Sequence, residues 1–133
     1  MTLSMCNTQR LQAVQEIIKN LDVLGDIVEC GVYKGGMIVN ILEALEKTEN
    51  YRARAMWLYD TFDGNPQPKS VDKKHTGEQG QEGLNKCRLG EVMENIGLPN
   101  LAGIAFIEGK VEDTIPSQAP ERIAFLHLDT NFY

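Results

Sequence analysis

The sequence is short of three things, and each shortage removes a class of function. It has no long apolar run. Stretches such as Ile123–Leu126 are far too short to span a bilayer, and Met1–Asn20 lacks the basic start and apolar block of a secretory signal. It has no excess of positive charge; a formal net charge of −6 argues against a general nucleic-acid binder, which needs a basic face to neutralise phosphates. It also has few cysteines, none of them paired. Cys6, Cys30 and Cys87 are scattered without a C-x-x-C or neighbouring histidines, which argues against a disulfide framework and a zinc site and fits reduced thiols in a cytoplasmic protein. No internal repeat or low-complexity tract is visible. What remains is ordinary: 133 residues, 42% hydrophobic and 24% charged, enough for one domain over residues 1–133 with one core.

The order of patterns along the chain carries more. Leu11, Val14, Ile17, Ile18 and Leu21 recur at helical spacing, so Thr8 to Leu21 reads as an amphipathic helix that Gly25 ends. Asp26–Cys30 is a short β-rich run stopping at Gly31, the form of a buried strand. Met37–Lys47 places Ile38, Ile41, Leu42 and Leu45 on one helical face, and Ala55–Asp60 is a second strand that ends in an acid. Phe62–Gln81 holds Gly64, Pro66, Pro68, Lys73, Lys74, Gly77 and Gly80 with almost no apolar content, as expected of a lid-like loop, a binding loop or a disordered segment. Leu89, Val92, Met93 and Ile96 mark a short helix closed by Gly97, and Gly103–Ile107 and Ile123–Asp129 are further strands. Between those two, Glu112–Pro116 reads as a turn or a single helical turn. Strands alternating with helices predict an α/β fold with a parallel sheet. The last strand ends four residues before the sequence does, so the expectation is the N-terminal half of a Rossmann-like sheet, with later strands missing.

The chemistry concentrates at the ends of these strands. In Val28-Glu29-Cys30-Gly31-Val32-Tyr33-Lys34-Gly35-Gly36, glycines would let a ligand approach the backbone beyond the first strand. Glu29 is the odd residue, because a carboxylate in an apolar strand is costly to bury unless a cation meets it. Lys34 or another surface cation could do so. So could an amino-acid ammonium, such as that of S-adenosylmethionine. The spacing is not G-x-G-x-x-G, so the loop alone is weak evidence for a nucleotide. Asp60 strengthens it: an acid ending the strand after a glycine loop can accept hydrogen bonds from both ribose hydroxyls, although it could equally cap a turn before Thr61. Nicotinamide dinucleotide and S-adenosylmethionine both remain open at this level. Asp129 ends the last strand and should share the crevice, unless it caps the next element. Three acids at neighbouring strand tips would repel one another, which suggests a cationic partner: an ammonium, a sulfonium or a divalent metal. His127, alternating with Leu126 and Leu128, is expected to be a satisfied sheet histidine, and His75 a solvated loop residue. Cys30, Val32, Met37 and Trp57 are expected to be packing residues.

Together these segments resemble a known family. Gly25–Gly36 is similar to the glycine-loop signature of the macrocin O-methyltransferase (TylF-like) family, and Tyr59–Gly64 to its second signature. Gly109–Pro116 resembles the third, and Ala119–Ala124 with Leu128–Thr130 the fourth. The resemblance implies a class I methyltransferase fold and magnesium-assisted transfer of a methyl group from S-adenosylmethionine to a hydroxyl of a small molecule such as a sugar. It implies that Glu29 meets the methionine ammonium, that Asp60 holds the ribose, and that the stretch Lys110-Val111-Glu112 lies by the adenine. Gly31, Tyr33, Gly35, Gly36, Thr61, Phe62 and Asp129 complete the implied cofactor contacts, with Asp129 also a metal ligand and the loop after Phe62 a lid.

Two departures qualify that implication. Family members commonly carry a second acid two residues after the metal aspartate, as a general base; here Asn131 stands there, and an amide cannot accept a proton at neutral pH. The paired aspartates that complete the family's metal site belong to a later strand that this sequence lacks. The alternatives are therefore a non-catalytic cofactor-binding module that oligomerises through an exposed sheet edge, and a nicotinamide-dependent oxidoreductase. The absent G-x-G-x-x-G and the presence of Glu29 count against the oxidoreductase.

Overall fold

The computed structural model describes residues 7–48, 54–62, 88–97 and 101–130. Its elements run α1 (Thr8–Lys19), β1 (Asp26–Cys30), α2 (Gly36–Leu45), β2 (Met56–Asp60), α3 (Leu89–Ile96), β3 (Ile104–Glu108), α4 (Val111–Thr114) and β4 (Ile123–Leu128). The four strands form one sheet in the order β3-β2-β1-β4, with every neighbouring pair parallel. The expected α/β class and parallel sheet are both present. The segment expected to be a lid lies, beyond Phe62, outside the described residues, as do Asn131, Cys6, Cys87 and His75.

Helix boundaries follow local chemistry. Asn7 caps α1 by accepting from the Arg10 amide at 2.8 Å. The helix stops two residues earlier than periodicity predicts, because the Asn20 side chain donates to the Glu16 carbonyl at 2.8 Å and its backbone N–H turns back to Ile17 and Ile18. Leu21 still packs on the core from outside the helix, which is why the apolar pattern runs past the end. Gly97, at φ 82°, closes α3.

The strand alternation divides the core in two. Ile27, Met56 and Leu58 face α1, α2 and α3, joining Val14, Ile18, Ile38, Ile41, Val92 and Ile96 in the larger cluster. Side chains of this kind contribute roughly 1.5–3 kcal/mol each when fully buried, so this cluster is the main source of stability. The opposite face is thinner: Val28, Cys30, Tyr59 and Ile107 pack with Trp57, Ala105 and Val111. The Tyr59 hydroxyl donates to the Gln118 carbonyl and pins the segment after α4 there. Along β4 that face is open, with Leu126 48% and Leu128 67% exposed, while His127 between them turns toward the helices.

Candidate functional site

From β1 the chain moves outward to β2 and β3, then returns to place β4 on the other side of β1. The strand order therefore reverses between β1 and β4, and open α/β sheets bind ligands beyond the carboxyl ends of the strands at such a reversal. The glycine loop leaves β1 at that point. Gly31 has φ 88°, and a Cβ there would lie 2.3 Å from the Asp129 carbonyl oxygen, so only glycine lets the two strands pass this closely. Tyr33 holds a left-handed φ of 53°, a conformation uncommon for a bulky side chain and typical of a constrained functional turn. Gly35 then stands at the N-cap of α2 with no side-chain hydrogen bond, and α3 braces the loop by donating from Asn95 to the Lys34 carbonyl at 3.0 Å.

Asp60, at the tip of β2, is tied into this loop. Its Oδ2 accepts from the backbone amides of Val32 at 2.7 Å and Tyr33 at 3.2 Å. Its Oδ1 accepts from the Phe62 amide at 3.1 Å and, at the long distance of 3.4 Å, from the Thr61 hydroxyl. The turn-capping bonds weighed from the sequence are therefore present, and the same carboxylate also holds the glycine loop. Phe62 follows at φ 56°, buried and edge-on to Phe106 with ring centroids 6.1 Å apart.

Glu29 is only 1% exposed, and its partner is neither Lys34 nor another surface cation. Lys34 instead lies 5.3 Å over the Tyr33 ring. The partner is His127, which stands opposite Glu29 in the β1–β4 register with Nδ1 2.8 Å from Oε2. The expectation of His127 as a satisfied sheet histidine missed this partner. The available signal was a polar residue in an apolar strand two positions before Asp129, but only the register reveals the pairing. The other oxygen, Oε1, is buried without a hydrogen-bond partner. Burial pushes the Glu29 carboxyl up to about 7; the bond and charge of His127 pull against this, while Asp129 and Asp60 push the same way as burial. The hydrogen bond with Glu29 likewise raises His127 above its ordinary value, against the effect of burial. Glu29 thus senses the other two acids at the strand tips. Burial, and then Glu29, push the Cys30 thiol up, which fits an inert packing residue.

The remaining implied residues spread around this centre. Val111 packs into the thinner face of the sheet at the start of α4, and Glu112 beside it is exposed. Asp129 continues β4, its amide donating to the Cys30 carbonyl at 2.8 Å. Among the described residues, no three His, Cys, Asp or Glu side chains gather as a metal site. Also among them, no helix is long and apolar enough to cross a membrane.

The model of one family, Macrocin-O-methyltransferase (TylF), matches residues 1–133. The chain belongs to the macrocin O-methyltransferase family. Among proteins of this kind, it is 29% identical to demethyldecarbamoylnovobiocin O-methyltransferase of Streptomyces niveus, over 92% of this chain and 48% of the relative. It is 27% identical to mycinamicin III 3''-O-methyltransferase of Micromonospora griseorubida, over 98% of this chain and 55% of the relative. The chain therefore spans about half the length of the curated relatives it matches. Among solved structures, the O-methyltransferase NovP superposes with a TM-score of 0.77 at 24% identity, covering 97% of this chain and 56% of NovP. A calicheamicin methyltransferase superposes at 0.73 with 21% identity, over 98% of this chain and 57% of its own. These likenesses establish the Rossmann-like methyltransferase fold.

Proposed function

We propose that this macrocin O-methyltransferase family chain supplies the S-adenosylmethionine-binding part of a cytoplasmic O-methyltransferase acting on a hydroxyl of a small molecule such as a sugar. The observation that carries this reading is the buried Glu29 carboxylate with Oε1 unpaired, next to a glycine loop at the strand-order reversal. An unpaired buried carboxylate oxygen is costly, and an ammonium donor is its natural complement. The residues present thus fit the amino-acid end of this cofactor. When bound, the cofactor supplies an electrophilic methyl group on a sulfonium.

The chain's own residues would hold and orient it. Glu29 would accept from the ammonium, and the Gly31–Gly36 loop would let the ligand lie against backbone that side chains would otherwise block. Asp60 has most of its acceptor capacity committed to amides. The 3.4 Å contact from Thr61 is the weakest of these, so a ribose hydroxyl would enter at Oδ1 with that threonine turning away. Phe62, Val111 and Glu112 would border the adenosine. Asp129 as a magnesium ligand would need partners from outside the described residues. Such a site holds the methyl donor in one orientation and thereby gains rate from proximity.

A second reading, an oligomeric binding module, rests on β4, which among the described residues is an edge strand that exposes Ile123, Leu126 and Leu128.

Calorimetric titration of S-adenosylhomocysteine into the purified chain tests the proposal, with Glu29→Ala and Asp60→Ala alongside. Saturable binding that both substitutions weaken is the expected result. A folded chain that binds nothing would overturn the cofactor reading.

A further inference from the structure

We propose that His127 is a positioning residue for the cofactor's amino-acid end: it holds Oε2 of Glu29 and so leaves Oε1 as the single oxygen that meets the ammonium. The inference rests on the cofactor reading above and adds to it a residue from the far side of the strand-order reversal.

Three observations support it. Glu29 and His127 are directly opposite in the parallel register, so both side chains rise from the same face of the sheet and the bond needs no bending of either strand. The two oxygens of Glu29 are unequal: Oε2 has its partner at 2.8 Å, and Oε1 is buried with none. A glutamate has three side-chain torsions, and one strong bond to a ring fixed on a neighbouring strand removes most of that freedom before any ligand arrives. The strand that carries the ring is itself fixed at this level. Asp129 donates to the Cys30 carbonyl at 2.8 Å, and its own carbonyl abuts Gly31.

The local charges agree with this division of labour. Asp60 and Asp129 both act on Glu29 through space, and Arg10 of α1 acts on His127. With Glu29 ionised, the Nδ1–H of His127 donates to Oε2. The ring then occupies one oxygen and leaves the other for a ligand cation.

The test compares two probes by calorimetry on the full 133-residue chain. S-adenosylhomocysteine carries the ammonium; methylthioadenosine lacks the whole amino-acid end. His127→Leu should weaken S-adenosylhomocysteine about tenfold or more, the size of one hydrogen bond to a charged group, and leave methylthioadenosine within about twofold. His127→Asn should restore most of the loss, because its side-chain amide presents an N–H close to where Nδ1 stands. Equal weakening of both probes, no weakening of either, or no rescue by asparagine in a folded sample would overturn the role. If His127→Leu does not fold, the unsubstituted chain still decides. The nitrogen NMR signal of His127 Nδ1 should move on adding S-adenosylhomocysteine and stay in place with methylthioadenosine; equal responses would refute the proposal. An unsubstituted chain that binds methylthioadenosine but not S-adenosylhomocysteine would overturn the His127 role while leaving the adenosine site standing. One that binds neither would remove the cofactor reading itself.

Discussion

Gly31 and the carbonyl of Asp129 meet so closely that the smallest side chain cannot fit between them: a Cβ on Gly31 would lie 2.3 Å from that oxygen. The contact joins the turn after β1 to the end of β4, the two strands between which the strand order reverses. Gly31→Ala would combine a backbone clash with a φ of 88°, and neither can relax without parting the strands. A loss of about 2–4 kcal/mol in urea unfolding is expected. Gly90→Ala is the contrast, since nothing lies within 4 Å of its Cβ position in α3, and it should be neutral or stabilising by up to about 1 kcal/mol. Similar midpoints for the two variants would refute the close-contact account.

Stability should fall as pH rises through the range set by Glu29. Its carboxyl is raised from 4.5 to about 7 in the fold, so the folded chain binds more protons than the unfolded chain between those values. This contribution is fully present below about 4.5 and is lost as pH rises through about 7. His127, also raised, has the same sign: its contribution is present below 6.5 and lost as pH passes its folded value. Denaturation midpoints between pH 5 and pH 8 should therefore decline more steeply in the unsubstituted chain than in Glu29→Gln. Parallel profiles would show that the carboxyl is not perturbed.

Asp60 should matter to the fold before any ligand binds. Asp60→Ala strips the Val32, Tyr33 and Phe62 amides of their acceptor, at an expected cost of about 1–3 kcal/mol. Amide hydrogen exchange at Val32 and Tyr33 should accelerate in the ligand-free variant. If exchange there is unchanged, the carboxylate is not holding the loop.

Asp26 offers an optical check on the sheet. It accepts from the Ala55 amide at 3.0 Å and from the Trp57 indole N–H at 2.9 Å. Asp26→Ala should destabilise the chain by about 1–3 kcal/mol. Because Trp57 is the sole tryptophan, its emission should report the change directly. An unaltered emission maximum and midpoint would count against this tie.

What the sequence made legible was local. Asp26–Cys30 was readable as a strand because a β-rich run ends at a glycine, and α3 because its apolar positions recur at helical spacing up to Gly97. Glu29 and Asp60 stood out as acids at strand ends. What stayed hidden depended on register and on faces. That Glu29 pairs with His127 follows only once β1 and β4 are aligned across 98 residues of separation. The alternation Leu126-His127-Leu128 gave no hint that the histidine, rather than the leucines, turns toward the helices. The clamp that Asp60 forms on Val32 and Tyr33 is likewise a product of turn geometry, which spacing alone does not encode.

The parallel register has a consequence in time as well as in space. Cys30 pairs with Tyr59 on one side and with Leu128 on the other, so β1 finds its first neighbour across a far shorter loop than its second. Closing the longer loop costs more chain entropy and comes with greater delay. On a ribosome, β1 and β2 can meet while β4 is still unsynthesised. Glu29 would then spend that interval as a partly wrapped carboxylate awaiting its histidine, and the pair can form only once β4 has arrived.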